Sequence, residues 1–210
     1  MNLPFPRLYA ILDAAQVSPR SMPEVTRTLL ESGVRLFQYR NKLGNSRELF
    51  DACQEIVDVI HDARGIFIVN DRADVALAVG ADGVHLGQDD LPAAMARSIL
   101  PPGRVIGVST HSISQVQEAD RLPVDYIAFG PVFPTRSKDQ PDPEVGFQGL
   151  REARKATRKP LVAIGGITPE NAPGVIASGA DSVAVIQALL GTPDISARAR
   201  EFLEAAGRVR

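Results

Sequence analysis

The stretch Ile66–Leu91, IFIVNDRADVALAVGADGVHLGQDDL, decides how the chain is read. It holds two short apolar runs, Ile66–Val69 and Val84–Leu86. Each ends abruptly in amide or acidic residues: Asn70-Asp71 after the first, Gln88-Asp89-Asp90 after the second. Between them, Ala73–Val79 carries a short helical pattern that Gly80 closes. The order is strand, helix, strand, with a carboxylate just past the C-terminal end of each strand. Neighbouring strands of a parallel sheet point the same way, so their tips lie side by side. Asp71 and Asp90 can therefore face one shared volume. Two hard oxygen donors suit Mg²⁺, which takes one or two carboxylates and keeps its other positions for water and substrate phosphate. The competing reading makes each Asp a helix N-cap, a common role for that residue. The stretch alone leaves both readings open.

The same alternation extends on both sides. Towards the N-terminus, Leu8–Leu12 is an apolar run ending in Asp13. Ser21–Leu30 reads as a helix, with Pro23 in its first turn and Gly33 as its stop. Val34–Tyr39 is β-rich and runs on into Arg40 and Lys42. Ser46 is the expected N-cap of a long amphipathic helix reaching about Ala63. Towards the C-terminus, Pro92–Leu100 is helical and Pro101-Pro102-Gly103 breaks it. Val105–Val108 is a strand followed by Ser109-Thr110-His111, and Ser112 or Ser114 opens a helix to about Asp120. Tyr126–Phe129 is a strand, and four prolines keep Pro131–Gly146 irregular through most of its length. A helix over Gln148–Thr157 leads to a strand at Leu161–Ile164 that ends in Gly165-Gly166. Thr168-Pro169-Glu170 is expected to open a helix that Gly179 closes. Ser182–Ile186 is the last strand and about Ile195–Ala206 the last helix.

Eight strand–helix alternations with short links predict an α/β chain with a parallel sheet. Eight units predict a single-domain (β/α)8 TIM barrel over residues 1–210. The rival is an open doubly wound sheet, but no Gly-x-Gly-x-x-Gly follows the first strand. Hydrophobic content of 44% and charged content of 23% are ordinary for a globular protein. A net charge of -2 gives no sign of a nucleic-acid or anionic-membrane partner. The single cysteine, Cys53, excludes an intrachain disulfide and a thiolate cluster. The N-terminus MNLPFPRLYAILD lacks the basic start and long apolar run of a signal peptide, and no apolar stretch approaches a membrane span. The expected address is cytoplasmic.

Polar residues follow the strands at Gln38/Arg40/Lys42, Asn70/Asp71, Asp89/Asp90, Ser109/Thr110, Thr135–Lys138, Gly165/Gly166 and Gln187. In a barrel these ends form one rim, where the active site of such folds lies. Gln38, Arg40 and Lys42 alternate and project to one side while the strand lasts. Arg with Lys suits a multiply charged phosphate, and Gln38 suits a heterocycle edge or a phosphate oxygen. Gly165-Gly166 before a helix start reads as a backbone phosphate cradle. Thr135, Arg136, Ser137 and Lys138 in the long loop suit another anion. His61, His85 and His111 show no metal-ligand spacing, so no zinc site is read, and His85 is expected to be a packed core histidine. Ser109 has no nucleophile motif around it. Asp82, Asp125 and Asp181 precede strands, which places them on the opposite rim with structural roles. The residues thus describe two anion sites and a Mg²⁺ site, the pattern of a transferase joining a diphosphate-bearing electrophile to a phosphate-bearing acceptor.

From Leu8 to about Leu190 the chain resembles the thiamine-phosphate synthase family. The resemblance rests on QYRNK (Gln38–Lys42), VNDRADVALAVGADGVHLGQDDL (Val69–Leu91), GVSTH (Gly107–His111), FGPVFPTRSK (Phe129–Lys138) and AIGGI (Ala163–Ile167). It implies a TIM-barrel transferase, with Mg²⁺ as cofactor, that couples hydroxymethylpyrimidine diphosphate to thiazole phosphate, with or without a carboxyl group on the thiazole. It further implies that Gln38, Arg40, Lys42, Asn70, Ser109 and Lys138 bind the pyrimidine diphosphate, with Tyr39, Asn41 and Arg136 also among the substrate-binding residues. Arg40, Lys42 and Lys138 would be catalytic, and Asp71 and Asp90 would hold Mg²⁺. Thr135, Ser137, Gly166, Ile186 and the backbone at Gln187 would bind the thiazole phosphate. The implied path is dissociative, so no general base is essential. Small molecules are the expected partners, and homo-oligomerisation is left open. The sequence departs from the family pattern where Val185-Ile186-Gln187 stands for Val-Ile-Ser, and where Thr135-Arg136-Ser137-Lys138 stands for Thr-x-Thr-Lys. Two rivals are a thiazole tautomerase and a non-catalytic sensor of thiamine-pathway phosphates. Neither needs the Gln38/Arg40/Lys42 series together with paired aspartates.

Overall fold

Short strands that are apolar along their whole length need cover on both faces, and a barrel wrapped in helices supplies it. The structure, a computed structural model, describes residues 5–135 and 143–207. Its elements run β1 (Leu8–Asp13), α1 (Ala14–Val17), α2 (Met22–Glu31), β2 (Leu36–Arg40), α3 (Ser46–Asp62), β3 (Ile66–Asn70), α4 (Ala73–Ala78), β4 (Gly83–Leu86), α5 (Ala93–Ile99), β5 (Val105–Thr110), α6 (Ile113–Arg121), β6 (Tyr126–Phe129), α7 (Gly146–Ala156), β7 (Leu161–Ile164), α8 (Ala172–Ala177), β8 (Ser182–Val185), α9 (Gln187–Leu190) and α10 (Ile195–Gly207). All the strands are parallel and follow one another around a closed barrel, with β8 pairing back on β1. This is the expected (β/α)8 barrel.

Alternation along each strand sorts the side chains into two apolar layers. Tyr9, Ile11, Leu36, Ile68, Tyr126, Ala128, Val162 and Ala184 pack together inside the barrel. Leu8, Ala10, Leu12, Phe37, Tyr39 and Val69 face the helices and join the larger outer core. Phe37, Phe67, Phe129 and Phe202 are fully buried, and each such side chain contributes about 1.5–3 kcal/mol. Register follows from this sorting, because a slip of one residue would exchange the two layers.

Several local expectations shift. The N-cap of α3 is Asn45, not Ser46: its side chain accepts from Glu48 N while the Glu48 side chain accepts from Asn45 N, a reciprocal capping box. The helix expected from Thr168 begins only at Ala172. Asn171 ties the intervening turn instead, accepting from Thr168 N and donating to Gly166 O. Gly33, at φ 102°, ends α2 so that Val34 N bonds Leu29 O, and β2 therefore starts later than Val34. The one-turn helices α1 and α9 were not anticipated.

On the rim at the strand N-termini, Asp82, Asp125 and Asp181 repeat one arrangement. Each carboxylate accepts from a backbone N–H of the preceding strand: Phe67, Ile106 and Leu161, all at 2.8 Å. Each also pairs with an arginine: Arg104, Arg97 and Arg154. These aspartates fasten neighbouring strands, the structural role expected of them. Among the described residues no helix is long and apolar enough to cross a membrane.

Candidate active site

At the opposite end the strands open into a cavity of about 930 Å³. All seven polar clusters past the strand ends contribute to its lining, from Gln38, Arg40 and Lys42 round to Gly165, Gly166 and Gln187. Asn70, Asp71, Asp89, Asp90, Ser109, Thr135 and Ile186 lie on the same wall-to-wall surface.

Arg40 ends β2, and its Nη1 donates to Asp13 Oδ2 at the end of β1, its direct partner in the sheet register. Asp13 Oδ1 accepts from Ala15 N and so caps α1. The guanidinium is thereby pinned on one side with its other donors turned to the cavity. Lys42, two residues beyond β2, donates to Asp71 Oδ2. Asp71 has φ 64°, a left-handed backbone that only a few non-glycine residues adopt, Asp and Asn among them. Its N–H donates to His85 O at 2.7 Å, which locks that turn. Neither aspartate caps a helix: the cap positions of α4 and α5 are Arg72 and Pro92, without a side-chain cap. Asp90 instead accepts from Gly87 N at 2.6 Å and folds its own loop back over the cavity.

The Asp71 and Asp90 carboxyls lie within hydrogen-bonding reach of each other. Burial, reinforced by that contact with Asp71, pushes the Asp90 carboxyl above the usual carboxylate range. Two carboxylates this close need a proton or a cation between them. Lys42 supplies one positive charge, and a divalent ion fits the remainder. Among the described residues no group of three or more His, Cys, Asp or Glu side chains gathers as a metal cage. The donor set is therefore two carboxylates facing an open cavity, which fits Mg²⁺ and its retained waters better than zinc.

The floor is polar where the sequence suggested apolar core. Tyr9, Tyr126 and His85 sit beneath the cavity, linked to Gln38 at one end and to Ser109 at the other. Burial lowers the His85 pKa to about 4, so the ring is neutral near pH 7. Burial likewise pushes both phenols up. Gln88 Nε2 donates to Ser109 O at 2.6 Å. On the far wall, Gly165 and Gly166 have φ 98° and 63°. A Cβ on Gly166 would lie 2.6 Å from Pro134 O, and one on Gly165 2.6 Å from Pro131 Cα. Glycine is required at both positions by backbone conformation and by the close approach of the loop after β6.

Two residues of the expected set lie elsewhere. Tyr39 is buried in the outer layer between barrel and helices, because it alternates with the inward Gln38 and Arg40. Asn41 spends its side chain on its own loop, accepting from Leu43 N and Gly44 N. Neither lines the cavity. Arg136, Ser137 and Lys138 lie outside the described residues. Four groups escaped the sequence reading: Asp13, Tyr9, Tyr126 and the cavity-facing role of His85. Asp13 stood out only as a polar strand end, and Tyr9, Tyr126 and His85 lie in strands buried at every position, where no polarity contrast marks the inward side.

A parallel (β/α)8 barrel with an Arg–Lys–carboxylate mouth defines a class of anion-binding barrel enzymes. Residues 8–189 match the thiamine monophosphate synthase family. The chain is 48% identical over 207 residues to thiamine-phosphate synthase of Koribacter versatilis, covering 97% of each. It is 42% identical over 203 residues to the Moorella thermoacetica protein of the same name, again covering 97% of each. Among solved structures, thiamine phosphate pyrophosphorylase from Pyrococcus furiosus superposes with a TM-score of 0.86 at 35% identity, covering 96% of this chain and 95% of that one. The chain belongs to the thiamine monophosphate synthase family, a family of transferases.

Proposed function

We propose that the protein is a Mg²⁺-dependent thiamine-phosphate synthase. It would join 4-amino-5-hydroxymethyl-2-methylpyrimidine diphosphate to 4-methyl-5-(2-phosphoethyl)thiazole or its carboxylated form. The observation that carries this reading is the cluster of Lys42, Asp71 and Asp90 beside Arg40 at the mouth of one cavity. A tautomerase or a sensor of phosphorylated thiazole has no use for paired carboxylates next to two cations.

Asp71 and Asp90 would hold the metal, which when bound would neutralise charge on the diphosphate. Arg40 and Lys42 would bind the diphosphate oxygens and stabilise the negative charge that gathers as the C–O bond breaks. Lys138 would join them on the strength of the sequence resemblance. The bond's electron pair leaves with the diphosphate, and the methylene carbon becomes electron-poor. The thiazole nitrogen then donates its lone pair to that carbon, forming the C–N bond. Gln38, Asn70 and Ser109 would hold the pyrimidine. Gly166, Thr135 and the chain at Ile186–Gln187 would hold the thiazole phosphate, so that the two reacting atoms meet in line. No side chain must take a proton, in keeping with a neutral His85 that is fully engaged in hydrogen bonds.

The test is direct. Purified protein with both substrates and Mg²⁺ is expected to release thiamine phosphate and diphosphate, with EDTA abolishing both. Thiazole phosphate binding without product, at saturating Mg²⁺, would overturn the assignment.

A further inference from the structure

Two one-turn helices stand against each other on the rim that carries the cavity. α1 follows β1 directly, α9 follows β8 after Ile186, and β1 and β8 pair in the sheet. α1 starts under the Asp13 cap that also holds Arg40. α9 starts at Gln187, which lines the cavity together with Ile186 and Ala188. One side chain joins the two helices at their other ends. Arg20 Nε donates to Val17 O at 3.5 Å, and its Nη2 donates to Gln16 O at 3.3 Å and to Leu190 O. Val17 ends α1 and Leu190 ends α9, so the guanidinium takes up carbonyls that a helix end leaves without a partner. Arg20 is half-buried, does not line the cavity, and among the described residues has no carboxylate partner.

The two helices depend on that side chain unequally. A single turn fixes more backbone than its few hydrogen bonds repay, so neither helix holds its place unaided. α1 has other fastenings. Asp13 caps its start and Val17 is buried. Backbone bonds from Ser18 N to Ala14 O at 3.3 Å and from Arg20 N to Val17 O at 2.9 Å close its end, and no change of the Arg20 side chain removes them. α9 has no side-chain cap at its start. Its own bonds run from Leu189 N and Leu190 N to Ile186 O and from Gly191 N to Gln187 O, all inside the turn. Leu189 and Leu190 are buried and hold α9 against the barrel, but apolar burial has no direction. Among the described residues, the bond from Arg20 to Leu190 O is the one hydrogen bond that ties α9 to another element.

We propose that Arg20 is a positioning residue that fastens α9 to α1 and thereby sets the wall at Ile186–Gln187 where the acceptor substrate binds. The proposal rests on the synthase reading above, which gives that wall to the thiazole phosphate. One turn separates Leu190 from Gln187, so a shift at the end of α9 reaches the cavity wall. Without the guanidinium the wall meets the phosphate away from its best position. The thiazole nitrogen is then less well aligned with the electron-poor methylene carbon. The diphosphate side is spared, because α1 keeps its own fastenings and Asp13 keeps Arg40.

The experiment compares Arg20→Met, which keeps an apolar stem without a donor, with Arg20→Lys, which keeps one charged donor. Amide hydrogen exchange is read first, by NMR on the free proteins. In Arg20→Met the amides of Leu189, Leu190 and Gly191 are expected to exchange about tenfold faster than in wild type, as for the loss of one hydrogen bond to a charged group, while those of α10 keep wild-type rates. Steady-state kinetics at saturating Mg²⁺, with each substrate varied in turn, is read second. Arg20→Met is expected to raise KM for thiazole phosphate about tenfold and KM for the pyrimidine diphosphate by less than about threefold. Arg20→Lys is expected to fall between wild type and Arg20→Met, and it carries both measurements if Arg20→Met fails to fold. A purely structural role would reduce the amount of active enzyme, which lowers the apparent kcat and moves neither KM. Unchanged exchange in α9, an acceptor KM at the wild-type value, or equal rises in both KM values each overturn the proposal. A wild type that forms no thiamine phosphate overturns the synthase reading and the proposal with it. A wild type that turns over beside an Arg20→Met enzyme with an unaltered acceptor KM overturns the proposal alone.

Discussion

Asp13 and Arg40 sit side by side at the ends of β1 and β2, and Asp13 serves two partners at once: Oδ2 holds the Arg40 guanidinium and Oδ1 caps α1 on Ala15 N. The two roles are separable. Asp13→Asn keeps an oxygen for the cap but loses the charge that fixes Arg40, so stability is expected to change little while KM for the diphosphate substrate rises about tenfold, the order of one charge-assisted hydrogen bond. Asp13→Ala should add about 1 kcal/mol of lost stability from the cap. Urea midpoints and steady-state kinetics on both variants decide it. An Asn variant with wild-type KM would show that Arg40 does not depend on Asp13.

The opposite rim should respond in the opposite way. Asp181 accepts from Leu161 N at 2.8 Å and pairs with Arg154 at 2.9 Å, and neither Asp181 nor Arg154 lines the cavity. Asp181→Ala is expected to lower stability by about 1–3 kcal/mol, since it strands the Leu161 N–H and takes one partner from Arg154, which keeps its bonds to Thr157 O and Lys159 O, and to leave kcat and KM within about twofold. A large kinetic effect in a folded variant would contradict the division of labour between the two rims.

His85 makes stability depend on pH. Burial is the main cause that lowers its pKa to about 4; Asp90 acts in the raising sense and Lys42 in the lowering sense. The unfolded chain, with an ordinary histidine near 6.5, binds more protons than the folded one between those values. Stability is therefore complete above the unfolded value and is lost as pH falls through the window. Between pH 7 and pH 5 wild type is expected to lose about 2 kcal/mol more than His85→Gln. Urea unfolding of both proteins at the two pH values measures the difference, and equal losses would mean that His85 is not held neutral by the fold.

The barrel was legible because strands covered on both faces read as unbroken apolar runs, and because polar residues cluster past their ends. Once eight such units close, those clusters must share a rim, and the cavity is lined by all of them. What escaped was mostly register and length. Asp13 was visible as a polar strand end, but its bond to Arg40 needs the β1–β2 pairing. Tyr9, Tyr126 and His85 lie within strands, and a run that buries both faces hides which side a polar atom takes. Tyr39 carried a usable signal: if Gln38 and Arg40 face inward, their neighbour faces out. Asn45 did too, since Glu48 stands three residues on, at capping-box spacing, and the adjacent Ser46 does not have it. The helices α1 and α9, four residues each, are too short to show a period.

Gly166 joins the two halves of the cavity, because it packs against the loop after β6 while lining the wall beside Gln187. A methyl group there meets Pro134 O at 2.6 Å and must also be carried at φ 63°. Gly166→Ala therefore pushes the Pro134–Thr135 backbone outward and costs about 1–3 kcal/mol in strain. If this wall holds the phosphate of the acceptor, KM for thiazole phosphate should rise at least about tenfold. The KM for the pyrimidine diphosphate, bound across the cavity at Arg40 and Lys42, should rise by less than that, because the variant leaves Asp13, Asp71 and Asp90 untouched. Gln187→Ser, which changes the same wall without moving backbone, should shift the thiazole phosphate KM by less than about threefold if backbone N–H groups hold the phosphate. Steady-state kinetics with each substrate varied in turn separates these effects. A Gly166→Ala enzyme whose defect falls on the diphosphate substrate instead would place the acceptor phosphate on another wall.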